Sequence, residues 1–187
     1  MNGIDDLISD ATRRMDKSVE STQVEFNTVR TGRASAALLD RIAVDYYGQQ
    51  TPLKQLATIN VPEPRMLTVL PFDPSSIKEI ERAIQESELG LTPSNDGKVI
   101  RLPIPQLTEE RRKELVKVVR QIAEDGKVAI RNVRRDADKH LKELKTKGDV
   151  GEDDERRAEE RVQKLTDEHT KTIDELLKHK EAEIMEV

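Results

Sequence analysis

Residues 108–145 read TEERRKELVKVVRQIAEDGKVAIRNVRRDADKHLKELK, and they decide the fold. Leu115, Val119, Ile122, Gly126, Ala129, Val133, Ala137, Leu141 and Leu144 recur at steps of three and four, the signature of one apolar helical face. Thr108 is a good N-cap. Glu109 and Glu110 fall in the first turn, where the helix dipole favours acids. No proline interrupts the run, so a single long helix is expected.

The same pattern appears on both sides. From about Asn2 to Arg30, the positions Ile4, Ile8, Ala11, Met15, Val19, Thr22, Phe26 and Val29 form a stripe about 40 Å long at 1.5 Å per residue. After Gly148 and Gly151 a third stripe runs Ala158, Val162, Leu165, His169, Ile173, Leu176 and Ile184, with Lys180 where an apolar residue is expected. Three helices, each apolar on one face, bury those faces most economically as a long antiparallel three-helix bundle.

The segment between the first two helices is different. All 8 prolines lie between Pro52 and Pro105, and proline is expelled from helix interiors. Ile42, Val44 and Tyr46 alternate as a half-buried strand ended by Gly48. Residues 57–61 and 66–72 are β-rich and separated by Pro62-Glu63-Pro64. Ser75 or Ser76 can cap a short helix carrying Ile77, Ile80, Ala83 and Ile84, closed around Gly90. Asn95-Asp96-Gly97 is a turn signal, and residues 99–104 give a last strand. The expected class is α+β. Residues 1–30 and 107–187 form the discontinuous bundle, and 31–106 form an inserted β/α/β domain. The chain crosses between them twice, at about 30–34 and 103–107, so a hinge is expected there, formed by Thr31, Gly32, Ala34, Pro105 and Gln106.

Composition excludes much else. Cysteine is absent, so thiolate zinc sites, disulfides and cysteine nucleophiles are ruled out. The three histidines lack metal-ligand spacing, and Gly97-Lys98 is followed by Val99, not by the Ser or Thr of a nucleotide P-loop, with no matching glycine spacing. No catalytic residue, metal or cofactor is expected, and the protein is not expected to be an enzyme. His169 lies on an apolar stripe and is read as a packing residue. No apolar run approaches the span of a bilayer, and residues 1–10 carry three acids and no base. A cytoplasmic protein without membrane contact is the expectation. With aromatics at 2%, a base-stacking surface is hard to assemble.

The net charge of −5 is unevenly spread. Residues 149–187 hold 14 acids and 7 bases, whereas 108–148 hold 13 bases and 8 acids. Lys113, Lys117, Arg120, Lys127, Arg131 and Arg134 form a row that is expected to face away from the core. Two readings stay open on this pattern. One is a solvated helix face laced with ion pairs. The other is a grip on a phosphate-bearing partner such as folded RNA or DNA.

Specific motifs then narrow the field. Arg30-Thr31-Gly32-Arg33-Ala34, Leu38-Leu39-Asp40 and Tyr46-Tyr47-Gly48 appear in order. Leu107-Thr108-Glu109-Glu110-Arg111-Arg112-Lys113 and Val128-Ala129-Ile130-Arg131-Asn132-Val133-Arg134-Arg135-Asp136 follow them. Together with the closing Lys180-Glu181-Ala182-Glu183-Ile184-Met185, these resemble the bacterial ribosome recycling factor family over essentially the whole chain. Ser35-Ala36 departs from the pattern, since family members often have a proline there.

The resemblance implies an L-shaped, two-domain protein. It implies a factor that acts with elongation factor G and GTP hydrolysis to split the post-termination ribosome into subunits for a new round of translation. It also implies a bundle resting on large-subunit ribosomal RNA near the intersubunit bridges, in a monomer, and a smaller domain that swings. Carried over by motif, the RNA contacts are Arg30, Gly32, Arg33, Arg112, Arg131 and Arg134. The charge row adds Lys117, Arg120 and Lys127. The competing expectation is a coiled-coil scaffold or chaperone-like module whose acidic third helix, with Glu159, Glu160 and Asp167, meets a basic protein.

Overall fold

The computed structural model describes residues 3–186. The chain separates into two compact units, residues 3–30 with 109–186, and Thr31–Thr108. The expected helix start at Asn2 lies outside the described residues.

The first unit is a bundle of α1 (Gly3–Asn27), α4 (Glu109–Thr146) and α5 (Glu152–Met185). At 1.5 Å per residue α4 is about 57 Å long. Cross-helix contacts fix the directions. Gly3 lies against Leu144 and Thr22 against Gly126, so α1 and α4 are antiparallel. Lys145 pairs with Glu155 and Arg120 with Glu181, so α4 and α5 are antiparallel too. Asp5 with Arg161 and Asp16 with His169 make α1 and α5 parallel.

The core is aliphatic apart from Phe26 and Met15. On α4 it is formed by Leu115, Val119, Ala123, Gly126, Ile130, Val133, Ala137 and Leu141. Ala123 and Ile130 take the places expected of Ile122 and Ala129, which are only half-buried. The reason is that α4 packs against two helices at once, so its buried face is wider than one stripe and centred slightly to one side. Thr22 and Thr166 are buried polar residues, and each hydroxyl donates to the carbonyl four residues back at 2.8 Å. His169 is half-buried as a bridge between helices: Nδ1 lies 2.7 Å from the Leu165 carbonyl and Nε2 lies 2.7 Å from Asp16 Oδ1.

The α1 helix ends at Asn27, three residues short of Arg30, because Thr28 and Val29 turn their N–H groups to carbonyls three residues back. The two glycines after α4 close it as expected, with Gly148 at φ +79° and Gly151 capping α5.

The second unit contains a hairpin, β1 (Ala43–Tyr46) with β2 (Gln49–Pro52), and a short helix α2 (Leu53–Leu56). A four-stranded antiparallel sheet follows, built from β3 (Ala57–Glu63), β4 (Met66–Pro71), β5 (Ser94–Asn95) and β6 (Ile100–Pro103) in the order β3-β4-β6-β5. Helix α3 (Ile77–Glu86) buries Ile77, Ile80 and Ile84. They join Val44, Leu53, Leu67, Val69, Ile100 and Leu102 in one core. Ser76 holds the N-cap position of α3, as expected, but its side chain makes no capping bond. Asp73 caps the turn before it: its Oδ1 accepts from Ser75 N at 3.0 Å and Ser75 Oγ at 2.7 Å. A single 3-10 turn at Pro74–Ser76 then leads into α3, with Ser76 already helical in backbone. Asp96 fixes the next turn by accepting from Lys98 N at 3.0 Å and Val99 N at 2.9 Å.

Candidate nucleic-acid interface

The basic row on α4 is a continuous feature, but within it only Lys117 faces directly away from the core. At about 100° per residue, Arg120, Lys127 and Arg134 fall on the shoulder next to the buried face, Lys113 and Arg131 lie further round, and Lys117 lies nearly opposite it. That shoulder adjoins α5. The expectation of an opposite face used one apolar stripe as the reference, whereas the true buried face is broader and shifted toward the row.

The consequence is a ladder in which Arg120, Lys127 and Arg134 reach across the α4–α5 seam, while Arg131 pairs within α4. Arg120 Nε donates to Glu181 Oε1 at 2.7 Å. Lys127 Nζ donates to Asp174 Oδ1 at 2.9 Å, with Glu124 3.8 Å away. Arg131 Nη2 donates to Glu124 Oε1 at 2.6 Å. Arg134 Nη1 donates to the neutral Gln163 Oε1 at 3.3 Å, and Gln163 in turn donates to Asp167 at 2.9 Å.

These partners rank the row. Lys127 has only 20% of its side chain exposed and its ammonium sits between two carboxylates, so it is mainly a strut. Arg120, 64% exposed, spends one of five N–H donors on Glu181 and keeps the rest for solvent or a ligand. Among the described residues Arg134 donates to an amide, with no carboxylate hydrogen-bonded to its charge. Lys117 is exposed. Lys113 pairs with Glu109 within its own helix at 3.4 Å.

Other expected residues stand apart from this row. Arg112 lies on the core side of α4 and is half-buried, its Nε enclosed with no hydrogen-bond partner among the described residues. Arg30 is exposed after the end of α1, and Arg33 is exposed at the start of the second unit.

Gly32 has φ +76°, and a Cβ there would lie 3.3 Å from Leu107 Cγ. Glycine is therefore the residue that fits both the backbone and the close approach. Ala34 N donates to the Pro64 carbonyl at 2.7 Å and Ile104 N to the Arg65 carbonyl at 2.8 Å. Both chain crossings are thus tied to the β3–β4 turn. Thr31 is half-buried, and Pro105 and Gln106 are exposed. With its amide oxygen toward Arg65, Gln106 accepts from that guanidinium.

Two features were not anticipated. Asp174, Glu181 and Gln163, which face the row, lie on α5, and only the helix register reveals them. Beyond Arg134, a shallow groove is lined by Arg135, Lys139, Lys142 and Lys147 with Asp138 and Glu143. The excess of bases in 108–148 was the signal for it. Burial pushes the Asp138 carboxyl up, against the opposing pull of Arg134 and Lys142.

The family model described as Ribosome recycling factor matches residues 22–185. The chain belongs to the ribosome recycling factor family. The ribosome-recycling factor of Rubrobacter xylanophilus is 57% identical over 187 residues, covering 100% of both chains. That of Bacillus licheniformis is 55% identical over 181 residues, covering 97% of this chain and 98% of the relative. A solution structure of the ribosome recycling factor is similar with TM-score 0.77 and 44% identity, each chain covered completely. A second structure, at TM-score 0.64 and 46% identity over the whole of both chains, has the T. thermophilus ribosome recycling factor and E. coli elongation factor G bound to the E. coli post-termination complex. Among the described residues, no helix is long and apolar enough to cross a membrane.

Proposed function

We propose that this chain recycles ribosomes: it binds the post-termination ribosome and, with elongation factor G and GTP hydrolysis, splits it into subunits. The observation that carries the proposal is full-length membership of the family, together with a relative seen on the post-termination complex beside elongation factor G. The chain works as a cytoplasmic monomer and a mechanical factor, without catalytic residues or a cofactor of its own. The free energy comes from the GTPase.

The bundle grips large-subunit RNA near the intersubunit bridges through phosphate contacts. Arg134 carries most of that grip. Arg131, Arg120 and Lys117 extend it along the ridge, and Arg30, Gly32, Arg33 and Arg112 add contacts toward the crossings. Lys127 contributes least, because two carboxylates hold its ammonium. Arginine's planar fork suits bidentate phosphate contact. The insert pivots about Thr31–Arg33 and Pro105–Gln106. Ala34 moves with the insert, because its N–H is bonded to Pro64. A rigid rod that keeps its hold while the insert is pushed converts the push into separation of the subunits.

Binding of Arg134→Ala to large subunits across a salt series tests the grip. Loss of one phosphate contact lowers the slope of log K against log salt by roughly 0.7–0.9. Unchanged affinity and slope in a folded variant would remove Arg134 from the interface.

A further inference from the structure

Of the chain's four aromatic rings, Phe26 is buried in the bundle, while Tyr46, Tyr47 and Phe72 all belong to the insert. Tyr46 ends β1, and Tyr47 with Gly48 forms the tip of the β1–β2 hairpin. Both tip residues have positive φ, +51° for Tyr47 and +83° for Gly48. A two-residue hairpin turn of this kind favours Asn-Gly, so tyrosine at the first position is a strained choice. Burial does not offset the strain, since Tyr47 is 81% exposed.

The tip is nevertheless held firmly. The Tyr46 hydroxyl donates to Asp73 Oδ2 at 3.0 Å, and the two tyrosine rings meet edge to face at 4.6 Å. Asp45 Oδ1 accepts from Gly48 N at 2.9 Å. Ser75, with both tyrosines, holds the Asp73 carboxyl below its usual range, so it stays anionic. Phe72, 67% exposed, is the residue before that anchor.

The corner is therefore a fixed, exposed aromatic ring with the carboxylates Asp45 and Asp73 beside it. Negative charge here repels a phosphate backbone, which disfavours stacking on a nucleic acid. A ring face next to carboxylates attracts a guanidinium or ammonium group. We propose that this corner docks a protein partner that lays an arginine or lysine side chain on the face of Tyr47. Resting on the recycling function proposed above, that partner is elongation factor G.

The test is Tyr47→Asn, which removes the ring while supplying the residue the turn favours, alongside Tyr47→Phe, which keeps the ring face. Two readouts are needed: ribosome binding without the GTPase, and the elongation factor G concentration for half-maximal splitting. For Tyr47→Asn the expected result is unchanged ribosome binding and a half-maximal concentration raised by about 3- to 30-fold. Tyr47→Phe stays near the wild type. A Tyr47→Asn protein with wild-type dependence on the GTPase overturns the docking point. So does loss of ribosome binding in the absence of the GTPase, which would give the ring to an RNA base or a ribosomal protein. If the wild type itself fails to split ribosomes, the recycling function falls and takes the named partner with it.

Discussion

Replacing Gly126 with alanine probes how tightly the rod is built. A methyl group at that position would sit 2.3 Å from Thr22 Oγ1 and 3.0 Å from Ile173 Cδ1. The hydroxyl cannot simply rotate away, because it donates to the Ser18 carbonyl at 2.8 Å. All three helices meet at this point, so relief requires moving one of them. Overpacking of this kind costs about 1–3 kcal/mol, while Gly→Ala inside a helix returns roughly 0.5–1 kcal/mol through propensity. The net expectation is a loss of about 0.5–2 kcal/mol. For a chain of this size that lowers Tm by about 1–8 °C. Thermal melts followed by circular dichroism at the helical band read it out. Thr22→Ala removes the atom that clashes most, so adding it to Gly126→Ala should cost less than the two single effects combined, with a coupling of about 0.5 kcal/mol or more. A Gly126→Ala protein as stable as the wild type, or more so, would refute the close three-helix crossing.

Three further outcomes follow from the geometry. Asp174→Asn with Glu181→Gln frees Arg120 from its carboxylate and leaves Lys127 with Glu124 alone, so large-subunit affinity at low salt should rise by roughly fivefold; equal or weaker binding would show that the seam does not compete with RNA. Gly32→Val forces a β-branched residue onto φ +76° against Leu107, and it should reduce GTPase-driven splitting more than ribosome binding; equal losses would count against a pivot there. The Asp96 carboxyl is lowered from 3.8 to about 2, first by the Val99 and Lys98 N–H groups and then by Arg101. Because its folded pKa is depressed, its contribution is present above about pH 4 and lost as pH falls through 2. The amide resonances of Lys98 and Val99 should titrate with a midpoint near 2, and a midpoint near 4 would contradict these hydrogen bonds.

Helix periodicity made the bundle legible, because stripes such as Ile4, Ile8, Ala11 and Met15 depend only on local spacing. The turn at Asn95-Asp96-Gly97 was legible for the same reason. Strand β2, by contrast, reads Gln-Gln-Thr-Pro and has no apolar alternation; it exists because the Tyr47-Gly48 turn folds it back onto β1. Asp73 supplies the capping bonds that the serine side chains were expected to make, because a 3-10 turn precedes α3. The orientation of the basic row was the main misreading. Its environment is set by Asp174 and Glu181, 47 and 61 residues away in the chain, and spacing within one helix carries no information about them. Tyr47 read as a family motif in the sequence, while its strain and exposure belong to the folded hairpin.

Light scattering of post-termination ribosomes, with this protein, elongation factor G and GTP each omitted in turn, tests the central claim most directly. The account predicts a fall in scattering, marking separation into subunits, only when all three are present. Ribosomes that stay intact with the complete set, or that split equally well without this protein, would contradict it.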